Sequence, residues 1–296
     1  MMVSEGPSSS EKQEPTTALA TTAQLNADRP SMSTPQQWSA ELKLAIAAGT
    51  KAQHMIAQAN ALEVSHKGRS DLVTQIDLKS EALIRAHLTA ALPNIPILGE
   101  EEGGDKNPTQ WIVDPLDGTT NFVHGFPAYA VSIALMVDSE VRVGCIVDAV
   151  NGDIYAASQG GGATLNQNPI QVSQTNHLDS ALLLTGFPYD RHLQAAFYLK
   201  FVKAFMIRAQ GIRRAGSAAL DLAHIASGRA DGYWEFGLSP WDIAAGTLLV
   251  SEAGGRVSDM KGNPLDIYAP RLLVSNAQIH QDMIHVIHEV NLPSNE

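Results

Sequence analysis

The segment WIVDPLDGTTNF (residues 111–122) carries the strongest structural and chemical signal in the chain. Its apolar run ends at Asp114, which predicts a buried strand with a carboxylate at its tip. Asp117 follows one proline-containing turn later, so both carboxylates can point to one position. Gly118 permits close backbone approach, and the polar residues 119–121 can begin a helix whose free N–H groups face an anion. This combination favours Mg²⁺, which binds carboxylates together with water and phosphate oxygens.

A run of glutamates follows another strand-like segment. Glu100, Glu101 and Glu102 come directly after IPILG (residues 95–99), and glycines come next. Taken alone, such a run is typical of a solvated loop. Placed at the end of a strand, it also offers further carboxylates to a cation. Glu102 could shift the affinity for that cation or simply face water.

Asp242 and Asp77 are each predicted to lie near the start of a helix. Ser239 and Pro240 precede Asp242, which is the pattern of a capping residue followed by proline at the first helical position. A carboxylate in the first turn is stabilised by the helix dipole, so neither aspartate by itself requires a metal.

The spacing of apolar residues predicts a layered α/β (α+β) fold. Helices are predicted over about residues 34–62, 77–92, 193–209, 217–227, 240–253 and 277–290. Strands are predicted at residues 95–99, 111–114, 129–137, 141–150, 153–158, 181–185, 231–236, 255–259 and 271–276, with a hairpin turn at the glycines 160–162.

Composition limits the function classes. The chain has 296 residues, 44% of them hydrophobic, and a formal net charge of −11, which argues against direct binding of nucleic acid or anionic lipid. No apolar run is long enough to predict a membrane span. The single cysteine, Cys145, lies in a strand-like run, so we expect a buried thiol and a cytoplasmic location. Residues 1–33 are rich in Ser, Thr, Gln and Pro and are predicted to be a disordered tail.

The chain resembles the inositol monophosphatase family of lithium-sensitive, metal-dependent sugar phosphatases, and especially its bacterial members. The resemblance rests on LGEE (98–101), DPLDGTTNF (114–122), GSAALDLAHIASGRADGYWE (216–235) and PWDIAAGTLLVSEAGG (240–255).

The resemblance implies a layered αβαβα sandwich of the sugar-phosphatase type and a homodimer. The phosphatase domain would cover residues 34–293, with a metal-site half at about 34–180 and a substrate half at about 181–293.

The resemblance also implies roles for individual residues. Two or three Mg²⁺ ions per site would be held by Glu100, Asp114, Asp117, Asp242 and the Leu116 carbonyl. Glu101 would hold a metal-bound water, Lys67 would lie near an outer metal or the phosphate, and Asp77 and Thr119 would orient and activate the attacking water. Gly118 and Thr119 would contact the phosphate, and Gly216, Ser217, Ala218, Glu235 and Asp242 would face the polyol.

Three arginines remain outside this scheme. Arg191, Arg213 and Arg214 suit phosphate or carboxylate groups, but metals already serve the phosphate, so we interpret them as structural or interface residues.

The expected function is Mg²⁺-dependent hydrolysis of myo-inositol monophosphate or a similar small polyol phosphate. Histidinol phosphate and fructose 1,6-bisphosphate remain alternative substrates. An alternative of another class is a non-catalytic interaction protein on the same fold, since some relatives bind the transcription machinery or RNA. The complete set of expected ligand carboxylates favours catalysis.

Overall fold

The helices and strands follow the order that the apolar pattern predicts. The computed structural model describes residues 37–59, 64–66, 72–269 and 271–290. Its helices are α1 (Ser39–Ala57), α2 (Gln75–Ala91), α3 (Thr119–His124), α4 (Arg191–Met206), α5 (Ala218–Ala226), α6 (Pro240–Glu252) and α7 (His280–Glu289). Its strands are β1 (Val64–His66), β2 (Leu72–Thr74), β3 (Ile97–Gly99), β4 (Gln110–Asp117), β5 (Ala130–Val137), β6 (Glu140–Asp148), β7 (Ile154–Ser158), β8 (Gly162–Leu165), β9 (Asn168–Pro169), β10 (Leu182–Thr185), β11 (Gly211–Arg213), β12 (Gly232–Phe236), β13 (Arg256–Ser258) and β14 (Arg271–Ser275).

The larger sheet has seven strands in the order β3-β4-β5-β6-β7-β8-β9. β3 and β4 are parallel, and the remaining neighbours are antiparallel. Because successive side chains of a strand point to opposite faces, Trp111 and Val113 pack on one side and Ile112 packs on the other. Both faces of this sheet are therefore covered by apolar layers.

Helices α1 and α2 cover one face of the larger sheet. Ala45, Ala48 and Ala52 of α1 are fully buried in the same cluster as Val131 and Ile133 of β5. Their small side chains allow the helix to lie close to the strands. This cluster is one of three apolar cores among the described residues.

Helices α5 and α6 form the middle layer. They contact strands of the larger sheet on one side and β12, β13 and β14 on the other. Gly144 of β6 permits a close approach, because a Cβ there would lie 2.6 Å from the carbonyl oxygen of Ala245 in α6. The backbone of α6 is thereby fixed against β6.

The smaller sheet has five strands in the order β11-β10-β12-β14-β13. Tyr233 faces the middle layer, whereas Trp234 faces α4 and α7. Phe205 of α4 stacks on Trp234 with ring centroids 4.3 Å apart, and Met283 of α7 belongs to the same cluster. The layers therefore follow the order αβαβα, which confirms the predicted fold.

Several element boundaries differ from the prediction. α7 begins at His280 rather than near residue 277, because Ala277 has a φ of +71°, which a right-handed helix cannot accommodate. α1 begins at Ser39 and ends at Ala57, inside the predicted range. The short strands β1, β2, β9 and β11, each of two or three residues, were not predicted.

Two local predictions are confirmed, and one segment lies outside the described residues. The hairpin turn at residues 160–162 joins β7 and β8, which pair antiparallel. Cys145 is a buried free thiol, and burial raises its pKa to about 12. The tail predicted at residues 1–33 is not among the described residues.

Within the part of the chain that the structure describes, no helix combines the length and apolar character needed to cross a bilayer.

Candidate active site

A β-bulge in β4 places Asp114 and Asp117 on the same face of the larger sheet. Asp114 pairs with Ser132 of β5 and Asp117 pairs with Ala130, so β4 contains one extra residue between these positions. Without the bulge, side chains separated by three positions would point to opposite faces. Pro115 lies in the bulge, where its missing N–H removes no regular ladder bond. Both carboxylates therefore face the middle helical layer.

Asp117 is held by the beginning of α5. Its Oδ2 accepts hydrogen bonds from the Ser217 hydroxyl at 2.6 Å and from the Ala219 N–H at 2.7 Å. Burial raises the pKa of Asp117 from 3.8 to about 6, although these hydrogen bonds and the charge of Arg214 oppose the rise. The carboxylate is thus fixed in orientation but poorly stabilised as an anion.

Asp242 lies in the first turn of α6, as predicted. Its Oδ2 accepts the N–H of Ser239 at 2.6 Å, which forms part of a capping box with Pro240 at the helix start. Burial and the charges of Asp117 and Glu100 raise the pKa of Asp242 well above its ordinary value. The Asp242 carboxylate therefore caps α6 and also lies close to the acidic side chains of Asp117 and Glu100.

Asp114, Asp117 and Asp242 form an acidic cluster. Each offers a carboxylate oxygen, and these atoms lie within 4.8 Å of one another. The pKa of Asp114 is well above its ordinary value. Burial is the largest cause, and the charges of Glu100, Asp117 and Asp242 raise it further. Carboxylates buried together are costly without a compensating cation. Because all the donors are hard oxygens, the cluster fits a cation such as Mg²⁺, Mn²⁺ or Ca²⁺.

The glutamate run lies at the end of β3, beside this cluster. The N–H of Glu100 donates to the Val113 carbonyl at 3.2 Å, which continues the pairing of β3 with β4. The charge of Glu100 raises the pKa of both Asp114 and Asp242, so Glu100 lies within electrostatic reach of the cluster. Its role as a metal ligand stays a prediction.

A buried glutamate of α2 holds the glutamate run in place. Glu81 accepts the N–H of Glu101 at 2.7 Å and the N–H of Glu102 at 3.0 Å, and it pairs with Arg85 at 2.7 Å. A Cβ on Gly99 would collide with the Glu81 carboxylate, so glycine is required there. Glu102 is half-exposed and lies 3.3 Å from the Arg85 guanidinium.

Asp77 and Thr119, predicted as partners, are in contact. The Thr119 hydroxyl donates to Asp77 Oδ1 at 2.8 Å, and it also lies 3.1 Å from the Leu116 carbonyl oxygen. Asp77 is fully buried in the first turn of α2. Gly118 precedes Thr119 with a φ of +97°, and a Cβ there would lie 2.9 Å from the Ala128 carbonyl oxygen. The role of this pair in activating water stays a prediction.

A cleft opens beside the acidic cluster and brings together most of the predicted phosphate and polyol contacts. Burial raises the pKa of Glu235 to about 7, while the Tyr233 hydroxyl that donates to its Oε2 and the charge of Arg214 lower it. The cleft is lined by Asp117, Gly118, Thr119, Gly216, Ser217, Ala218, Glu235 and Asp242. Residues from both predicted halves thus line one cavity.

The structure also places at the cleft residues to which the sequence analysis gave no role there. Arg191 and Arg214, which were interpreted as structural or interface residues, line the cleft, whereas Arg213 is exposed on β11. Asp221 of α5 also lines the cleft. For Glu81, a signal was present: it follows Asp77 by one helical turn and thus lies on the same helical face. Lys67 lies outside the described residues, so its assignment stays a prediction.

Comparisons with known proteins agree with this geometry. The chain matches the inositol monophosphatase family over residues 35–292. It is 46% identical over 226 residues to the inositol-1-monophosphatase of Synechocystis sp., a match that covers 75% of this chain and 78% of that protein. It is 39% identical over 250 residues to the Nus factor SuhB of Escherichia coli K12, covering 82% of this chain and 94% of that protein. The solved inositol monophosphatase of Anabaena superposes with a TM-score of 0.77 at 39% identity, covering 84% of this chain and 96% of that one.

The layered fold, the acidic cluster and these similarities define a class of protein, a phosphatase that hydrolyses a phosphate compound. The chain belongs to the inositol monophosphatase family, whose members depend on metal. The similarity to bacterial relatives confirms the resemblance that the sequence motifs predicted.

Proposed function

We propose that the chain is a Mg²⁺-dependent phosphomonoesterase that acts on myo-inositol monophosphate or a similar small polyol phosphate. The observation that supports this most strongly is the convergence of Asp114, Asp117 and Asp242, whose carboxylate oxygens lie within 4.8 Å of one another. Asp117 and Asp242 also line the cleft that contains Glu235. A cation site and a site for hydroxyl groups therefore share one cavity.

The acidic cluster would hold two or three Mg²⁺ ions. When bound, such ions lower the pKa of water and neutralise charge on the leaving oxygen. Glu100, Asp114 and the Leu116 carbonyl would hold one ion, and Asp114, Asp117 and Asp242 would hold another. Glu101 would hold a water at the site, and Lys67 would lie near an outer ion or the phosphate.

The chain itself supplies a path for a proton. Thr119 Oγ1 can accept a proton from the attacking water while its own proton moves to Asp77 Oδ1, 2.8 Å away. Asp77 is itself fully buried in the first turn of α2, so the pair needs little reorganisation before this transfer. The general-base contribution of such a pair is about 10²- to 10⁴-fold.

The walls of the cleft would orient the substrate. The backbone of Gly118 and the N–H and hydroxyl of Thr119 would contact the phosphate. The backbone of Gly216, Ser217 and Ala218 would face the polyol. The carboxylates of Glu235 and Asp242 would accept hydrogen bonds from its hydroxyl groups.

The proposed enzyme is a cytoplasmic homodimer with one phosphatase domain per chain. Residues 34–293 would form the phosphatase domain after a tail at residues 1–33. A homodimer in the cytoplasm is supported by the family and by the buried Cys145 thiol, which fits a reducing compartment. Sedimentation of the full chain measures the oligomeric state, and a monomer at micromolar concentration would contradict the dimer.

The test is phosphate release from a panel of esters by the wild type and by Asp117→Asn. The panel contains myo-inositol 1-phosphate, histidinol phosphate, fructose 1,6-bisphosphate and phenyl phosphate. We expect the wild type to cleave myo-inositol 1-phosphate fastest, and only with Mg²⁺. Asp117→Asn should lose at least about 10²-fold on every ester, because it removes a charge from the cluster.

A matched control separates chemistry from folding. Asp282 is an exposed first-turn aspartate of α7, so Asp282→Asn removes an equal charge away from the cleft and should keep wild-type turnover. Unchanged turnover in Asp117→Asn would remove that residue from the mechanism.

A second candidate function is an interaction role without catalysis. It is favoured by the name of the Escherichia coli relative, Nus factor SuhB. A pull-down that recovers one stoichiometric partner, together with no cleavage of any ester in the panel, would support it over the phosphatase.

A further inference from the structure

Asp221 is a buried carboxylate in an unfavourable position. It lies in the first turn of α5 and is 1% exposed. Its Oδ1 is buried without a hydrogen-bond partner among the described residues. Burial and the charges of Glu235 and Asp117 raise its pKa well above the ordinary value, and Arg214 only partly opposes this. An orphaned buried polar atom is rare in folded proteins and calls for an explanation.

The place of Asp221 in the cleft supplies that explanation. Asp221 lines the same cavity as Glu235, Arg214 and Ser217. The Arg214 guanidinium packs against Gly216, where a Cβ would lie 2.6 Å from its Nη1. Asp221, Glu235 and the Arg214 guanidinium therefore line the cavity that also contains Asp117, Asp242 and Arg191.

This set of groups matches the needs of a polyol. Each hydroxyl group donates one hydrogen bond and can accept others. The carboxylates of Asp221 and Glu235 can only accept while ionised, and the Arg214 guanidinium can only donate. A substrate with neighbouring hydroxyl groups could satisfy all three residues, whereas a substrate without them would leave Asp221 Oδ1 without a hydrogen-bond partner in the part of the chain that the structure describes.

We propose that Asp221 is a specificity-determining residue that accepts hydrogen bonds from the polyol hydroxyl groups, with Arg214 donating to the same hydroxyl oxygens. The inference rests on the proposed phosphatase function and names the feature of the substrate that the site selects. It differs from a purely structural role, because a structural carboxylate would already have its partners in the protein.

The kinetic test compares two esters that differ in their hydroxyl groups. kcat/KM is measured for myo-inositol 1-phosphate and for phenyl phosphate in the wild type, Asp221→Leu and Asp221→Asn. Asp221→Leu should lose about 10- to 100-fold on the inositol ester, since a hydrogen bond to a buried charged group is lost. It should change less than about twofold on phenyl phosphate, and Asp221→Asn, which keeps an acceptor, should lose less on the inositol ester.

A stability measurement adds a readout that a structural role would move in the opposite direction. In metal-free, substrate-free buffer, Asp221→Leu and Asp221→Asn should melt at or above the wild-type temperature, because each removes a buried ionisable group whose Oδ1 has no hydrogen-bond partner among the residues described. Asp282→Asn serves again as the control: it should leave the ratio of kcat/KM values unchanged and lower the melting temperature only slightly, through the loss of a first-turn charge of α7.

Two results would overturn the inference. An unchanged ratio of the two kcat/KM values, whether activity falls on both esters or on neither, would show that Asp221 gives no selectivity. A lower melting temperature of both variants would show a structural role. Asp221 and Arg214 also line a second pocket with Phe126 and His224, so a changed oligomeric state with an unchanged ratio would assign Asp221 to that pocket.

Failure of the proposed phosphatase function can be distinguished from failure of the inference about Asp221. If the wild type cleaves no ester, calorimetry with myo-inositol on the wild type and Asp221→Leu still tests the inference. Weaker binding to the variant would support it, and equal or absent binding to both would overturn it.

Discussion

At the scale of single residues, Glu81 is a buried side chain outside the cleft that fixes the backbone of the glutamate run. Its carboxylate is fully buried, accepts the N–H groups of Glu101 and Glu102, and pairs with Arg85. None of these contacts reaches the cleft, yet they determine where the glutamate run lies. Glu81 is therefore a positioning residue for Glu100 and Glu101.

Replacing Glu81 with glutamine should destabilise the chain and lower its activity. Glu81→Gln removes the charge that Arg85 neutralises and leaves one N–H of the glutamate run without its acceptor. The expected loss is about 3 kcal/mol in the free energy of unfolding, measured by urea denaturation. As a control, Glu289→Gln breaks the exposed pair between Arg208 and Glu289 and should cost less than about 1 kcal/mol. Similar losses in the two variants would contradict this account.

The pKa of Asp117 predicts how the metal-free stability depends on pH. Burial raises this pKa from 3.8 to about 6, so the folded chain binds a proton that the unfolded chain releases between these values. The contribution of Asp117 to stability is therefore greatest below pH 4 and falls by roughly 3 kcal/mol as the pH rises to 7.

The Asp117→Asn variant isolates this effect. In EDTA, it should gain stability relative to the wild type as the pH rises from 4 to 7, measured by denaturation at each pH. Mg²⁺ should remove most of the difference, because a bound cation stabilises the ionised carboxylate. A constant difference across this pH range would show that Asp117 keeps an ordinary pKa in the fold.

At the scale of elements, the junction between β4 and α3 depends on Gly118. Its φ of +97° is a conformation that glycine adopts readily, and a Cβ there would lie 2.9 Å from the Ala128 carbonyl oxygen. Gly118→Ala should cost about 1–3 kcal/mol from the backbone conformation and more from the contact, and it should move Thr119 away from Asp77. Thermal melting and phosphate release measure the two effects.

A second glycine provides the control for this substitution. Gly152 has a φ of +74° but nothing within 4 Å of a built Cβ. Gly152→Ala should therefore show the conformational cost alone and keep the catalytic rate. Equal losses of activity in both variants would contradict the importance of the Gly118 contact.

The elements also show what local sequence can predict. Long periodic segments such as α5 and β5 were predicted close to their observed ends, because their apolar spacing reflects burial on known faces. β11 (Gly211–Arg213) could not be predicted, because it has three residues and no alternating pattern, and it becomes a strand by pairing with β10. The bulge in β4 was likewise not predicted, although Asp114 and Asp117 were predicted to point to one position.

At the scale of the whole molecule, the acidic cluster joins distant parts of the chain. Asp114 and Asp117 come from the larger sheet, and Asp242 comes from the middle helical layer. The motifs predicted that Asp114, Asp117 and Asp242 share one site, and the structure brings their carboxylates together. Their distances could not be predicted, and neither could the placement of Asp221 and Arg214 in the cleft, because both depend on how α5 packs between the sheets.

Because the cluster spans two layers, Mg²⁺ should stabilise the whole fold. A ligand that binds only the folded state at 100 times its dissociation constant adds about 2.7 kcal/mol. We expect the melting temperature of the wild type to rise with millimolar Mg²⁺ and to fall on addition of EDTA, measured by scanning calorimetry. Asp242→Asn should abolish most of this response, whereas Asp282→Asn should keep it. If the melting temperature of the wild type does not change with Mg²⁺, the result would count against a cation in the cluster.

The contact between Gly144 and Ala245 links the catalytic rate to a residue outside the lining of the cleft. A methyl group at this strand position would push against the backbone of the helix that presents Asp242. Even a slight shift of that helix would spread the carboxylates apart. A genetic screen for inactive enzymes should therefore recover substitutions at Gly144, and directed evolution of new substrates should leave this glycine untouched while the cleft residues vary.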